Sequence, residues 1–93
     1  MTTLVMCSVR DAVADTFGRP FFVQSVAVAH RSFADEVNRP VQHGQGDSLL
    51  QDHPADFELY QLGTFDDQTG RVHMLDLPEL VVRGSSVVKA REA

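Results

Sequence analysis

Arg10, Arg19, Phe21, Phe22 and Arg31 are the residues of this chain best suited to chemistry with a partner. Guanidinium groups meet phosphate oxygens, and an exposed ring stacks on a base. Held on one surface, these groups would bind a single nucleic-acid strand without reading its bases. The competing reading buries both rings, because six phenylalanines are few for a core of this size. If "PFFV" is a strand, alternation turns one of the adjacent pair inward and leaves the other outside or under a partner subunit.

Other chemistries find less support. In "FELYQLGTFDDQTGRVHML" the adjacent carboxylates Asp66 and Asp67 invite a metal reading, but a calcium loop needs more oxygen ligands and a distal Glu. Asp at the start and Gly at the end of a short polar stretch between strand-like segments instead predict a hairpin loop of four or five residues. Cys7, His43, His53 and His73 could gather around zinc, yet no CxxC or HxxxH pair supports it. Ser8, Ser25, His30 and Asp35 could be drawn as a triad, but no nucleophile elbow accompanies them. No phosphate-binding glycine loop occurs, since "GQG" at residues 44–46 is too short. Neither catalysis, metal nor cofactor is expected.

Ninety-three residues, 43% hydrophobic and 23% charged, make one domain with one modest core. With Cys7 as the single cysteine, no internal disulfide can form, which suits a reducing compartment. Apolar runs fall short of the roughly 20 residues of a membrane span, and the start lacks the basic character of a signal peptide. The chain reads as intracellular, with no membrane partner. Its net charge of −5 is unevenly spread: residues 1–40 are neutral, residues 41–79 sum to −7, and residues 80–93 to +2. Nucleic-acid binders are usually basic overall, so a DNA strand would have to meet the first half or the tail.

The elements that must position these residues are readable. Thr3–Val9 is a short, branched, apolar strand, and Phe21–Gln24 a possible second. Ser25–Asn38 is the one clear helix, with Ser25 as N-cap, Asn38 and Pro40 closing it, and Val26, Ala29, His30, Phe33 and Val37 on one face. On that face His30 is expected as a hydrogen-bonded core histidine. Residues 42–52 read as a flexible linker. Phe57–Phe65, Arg71–Leu77 and Leu80–Val82 complete the strands. The expected fold is α+β: a small, mainly antiparallel β-sheet with one amphipathic helix packed on one face, spanning residues 1–84 and followed by a tail at 85–93. A doubly wound sheet is excluded, because parallel strands need helical crossovers.

"CSVRDAVADTFGRPFFVQS", "AHRSFADEVN" and "HPADFELYQLGTFDDQTG" together resemble the small nonstructural protein of microviruses of the gokushovirus type, tiny phages with single-stranded DNA genomes. The resemblance covers roughly residues 7–82 and departs at residues 43–49 and after Gly84, where length varies freely. It implies a role in viral single-stranded DNA synthesis in the host bacterial cytoplasm, and it carries no functional residues across. Two functions follow as expectations. One is an accessory factor that binds viral single-stranded DNA through Arg10, Arg19, Phe21, Phe22 and Arg31. The other is an acidic regulator that contacts a host or viral replication protein. A homodimer is expected in either case, to cover apolar surface or pair an edge strand.

Overall fold

The computed structural model of the chain describes residues 3–41 and 48–89. Strand β1 (Thr3–Asp11) lies at the centre of an antiparallel sheet. On one side it pairs with β2 (Thr16–Phe17) and β3 (Phe21–Val23), which return along it in two pieces. On the other side it pairs with β4 (Phe57–Asp66), and β5 (Arg71–Arg83) pairs with β4 at the outer edge. Helix α1 (Val26–Val37) packs across one face. The expected α+β architecture is the one observed.

Cap chemistry fixes α1 at both ends. Ser25 Oγ accepts the Val28 amide hydrogen bond at 3.2 Å, and Asn38 closes the helix. The face buried against the sheet is Ala29, Phe33 and Val37, spaced i, i+4, i+8, which meets Cys7 and Leu59 in the core. His30 is exposed, correcting the expected core histidine. At 100° per residue it sits one step round from Ala29, on the flank that leaves the sheet. Val5, Val9, Phe21, Val23, Phe57 and Val82 pack around this centre. Burial pushes the Cys7 thiol above its ordinary range.

Both tight hairpins use the same device. Asp66 Oδ1 accepts from the amides of Gln68 and Thr69 at 2.9 and 3.3 Å, the Gly70 amide bonds the Asp66 carbonyl at 2.8 Å, and Gly70 takes φ 73°. The expected structural loop is therefore present, and its amide bonds, that of Gln68 foremost, hold the Asp66 carboxyl below its ordinary value. Asp11 likewise accepts from Val13 and Ala14 at 3.0 and 3.1 Å, with Asp15 at φ 58° closing the turn. Asp tolerates the left-handed region better than most side chains.

Several boundaries move. Within the segment read as a linker, Leu49–Asp52 form a short helix, α2, whose buried Gln51 donates to the Glu36 carbonyl at 2.8 Å. Residues 42–47 of that segment lie outside the described residues. The two strands expected at Arg71–Leu77 and Leu80–Val82 are one strand through Pro78, a residue that an edge strand tolerates. The expected tail begins as α3 (Gly84–Val87), while residues 90–93 fall outside the description. No helix among the described residues is long and apolar enough to cross a membrane.

Asn38 clasps α3 to α1. Its Nδ2 donates to the Ala34 carbonyl at 2.7 Å and to the Val87 carbonyl at 2.9 Å, while its Oδ1 accepts from the Lys89 amide at 2.8 Å. Replacing Asn38 by Ala removes all three bonds and is expected to cost about 2 kcal/mol. Urea unfolding measures this, and a loss under about 0.5 kcal/mol contradicts the clasp.

Candidate nucleic-acid interface

Strand alternation separates two unlike faces. Val5, Cys7 and Val9 of β1 point to the helix layer. Leu4, Met6, Ser8 and Arg10 point the other way, and their cross-strand partners share that open face. Leu4 stands beside Phe65 and Val72, and Met6 beside Phe22, Gly63 and Met74. Ser8 stands beside Tyr60 and Leu80, and Arg10 beside Phe17, Glu58 and Arg83.

The aromatic rings on this face form two pairs. Phe22 meets Phe65 at 5.5 Å between centroids, tilted by 58°, and Phe17 meets Tyr60 edge-on at 5.4 Å. Phe22 and Phe17 are 47% and 44% exposed, and Met74 beside them 59%, so the face is apolar and accessible. Scattered exposed apolar side chains are ordinary, but rows sharing one face form a patch of the kind that meets partners. Between the ring pairs Met6 and Ser8 are buried, and Ser8 Oγ donates to the Gly18 carbonyl at 2.8 Å, tying the β2–β3 connection down.

The cations gather at one end. Glu58 Oε1 accepts from Arg10 Nη1 at 3.1 Å and Glu58 Oε2 from Arg83 Nε at 3.2 Å, with the Tyr60 hydroxyl 3.5 Å from Oε1. Arg10 Nη2 also bonds the exposed Asp15 carboxylate. The Asp15 bond first, with Glu58 behind it, holds the Arg10 guanidinium above its ordinary value. Asp66 and the acidic hairpin lie at the opposite end of the sheet, beyond Phe65.

The structure does not bring the five sequence-derived residues together. Phe22 is on the open face, and Arg19 is exposed in the connection next to Phe17, with no ion pair among the described residues. Arg10 is on the face but engaged by two carboxylates. Phe21 packs on the core side, as alternation requires once Phe22 points out. Arg31 is exposed two residues, or 200°, from both Ala29 and Phe33, so it projects from the helix away from the sheet. A single surface carrying Arg10, Arg19 and Arg31 is therefore corrected.

Phe17, Tyr60, Phe65, Met74 and Arg83 complete the face and were not singled out from sequence. The available signal was alternation in β4, which an irregularity hides. Met6 pairs with Gly63 while Cys7 pairs with Gln61, leaving Leu62 unpaired. That extra residue reverses the phase, so Phe57 faces the core and Phe65, eight residues on, faces out. Among the described residues no three His, Cys, Asp or Glu side chains are grouped to hold a metal.

Fold and face together define a small α+β protein that presents an aromatic platform on the side of an antiparallel sheet away from its helix. The family model for Phage ORF5 protein matches residues 4–87, and the chain belongs to that family. No curated protein and no solved structure matches it.

Proposed function

We propose that this phage protein is a nonstructural accessory factor of the gokushovirus type, acting in the host bacterial cytoplasm by binding viral single-stranded DNA on its open sheet face. The observation that carries the reading is two aromatic pairs, Phe22–Phe65 and Phe17–Tyr60, each with one exposed ring, on one face with arginines at one end. Single strands bind such surfaces because every base has a stackable face and every linkage a phosphate. With few cations on the platform and a net charge of −5, stacking outweighs charge, and the salt dependence is shallow.

Phe22→Ala removes one stacking ring without opening the core. It is expected to weaken binding of a labelled single strand about 5- to 150-fold, the worth of one stacked base. Fluorescence anisotropy measures it, with circular dichroism checking the fold. Equal binding by parent and variant refutes the platform.

The second reading, an acidic regulator that contacts a host or viral replication protein, is favoured by Leu77 and Met74 on β5, which are apolar and exposed. Pairing through the β5 edge is disfavoured, since Leu75–Pro78 bulge out between the pairs Met74–Gly63 and Glu79–Gln61, and Pro78 has no N–H to donate. A parent that binds no labelled single strand even at low salt supports this reading instead.

A further inference from the structure

We propose that Arg10 and Arg83 form a phosphodiester site at the Phe17–Tyr60 end of the platform, in which the Asp15 carboxylate occupies Arg10 until a DNA phosphate displaces it. The inference rests on the single-stranded DNA reading and adds the location of its phosphate contact and a residue that competes for it.

The geometry supplies the parts. Glu58, mostly buried, holds both guanidiniums from within the sheet, one on each of its oxygens, and so sets Arg10 and Arg83 side by side next to the aromatic pair. Arg83 uses only Nε for this, and its Nη groups carry no hydrogen bond among the described residues. Arg10 spends Nη1 on Glu58 and Nη2 on Asp15. The two acids differ in how firmly they are held: the Glu58 side chain is 13% exposed and that of Asp15 82% exposed. An exposed carboxylate on a turn is weakly bound and readily exchanged for another anion. A phosphate oxygen presents the same acceptor geometry to Nη2 that the carboxylate oxygen does. A nucleotide whose phosphate replaces Asp15 would have its base within reach of the Phe17–Tyr60 pair.

The test uses a labelled oligothymidine of about 12 nucleotides, within the range of site sizes for such surfaces, titrated by anisotropy at several salt concentrations. Asp15→Asn keeps a side chain suited to φ 58° and removes the competing charge. It is expected to tighten binding severalfold while leaving the salt slope close to the parent's, because the phosphate that Arg10 neutralises is the same in both complexes. Arg83→Gln leaves Glu58 paired with Arg10 and is expected to weaken binding and flatten the slope by about 0.7, the increment for one lost phosphate contact. If the parent binds the strand but both variants match it in affinity and slope, the site is wrong and the platform stands. If the parent does not bind the strand, site and platform fall together.

Discussion

Substituting Gly84 by alanine is expected to destabilise this protein by about 3 kcal/mol or more, at the upper end of what overpacking costs. The chain leaves β5 at Gly84 and passes against the turn Pro54–Asp56 that leads into β4. A Cβ at this position would lie 2.0 Å from the Pro54 carbonyl oxygen, 2.8 Å from its carbon and 3.2 Å from the Phe57 oxygen. All three are backbone atoms, so no side chain can swing aside. Relief requires α3 to withdraw from the end of the sheet, which also breaks the Asn38–Val87 clasp. Thermal unfolding checks the expectation. At roughly 4–8 °C per kcal/mol for a domain of this size, the midpoint should fall by at least about 12 °C. A midpoint within a few degrees of the parent would show that the approach is not close.

Phe33→Ala is the second large effect, with an expected cost of about 3–5 kcal/mol. Phe33 is 4% exposed and is the one aromatic ring in the buried core of the described residues, packed with Cys7, Ala29, Val37 and Leu59. Its neighbours cannot collapse into the space, because Cys7 and Leu59 are held by paired strands and Ala29 and Val37 by the helix itself. A domain of this length has on the order of 5–14 kcal/mol in all, so the variant should be marginal at 37 °C. Phe33→Leu keeps most of the volume and should cost clearly less. Urea unfolding of both separates lost volume from loss of the ring itself, and equal losses would contradict the packing argument.

The parts of the fold that were legible in the sequence are those fixed by neighbours in the chain. Ser25 caps the helix and Asn38 ends it by bonds within a few residues. Asp66 and Gly70 close their hairpin the same way. What depended on distant partners was not legible. Thr16–Phe17 is too short to signal a strand and exists because β1 lies beside it. Gly84–Val87 is helical where Asn38 and the Pro54 turn receive it. The site followed the same rule: the division between Phe21 and Phe22 came from alternation, whereas Phe65 was hidden by the Leu62 bulge. The arginines were scattered because charge in sequence says nothing about which layer a residue occupies. Arg31 went to the helix exterior and Arg10 into a carboxylate pair.

The central place of β1 has a kinetic consequence. Its hairpin with β2 and β3 closes across a four-residue turn and can zip within about 1–10 μs. Its other edge waits for β4, which begins at Phe57, so closure of a long loop rather than turn formation sets the folding rate. As the chain emerges from a ribosome, "TLVMCSV" carries an unsatisfied row of amides and carbonyls until residues 57–66 follow. An apolar, uncharged, β-prone segment in that condition is where self-association begins. The nascent chain, more than the finished fold, is the aggregation-sensitive form, and slower synthesis lengthens the time that edge stays open.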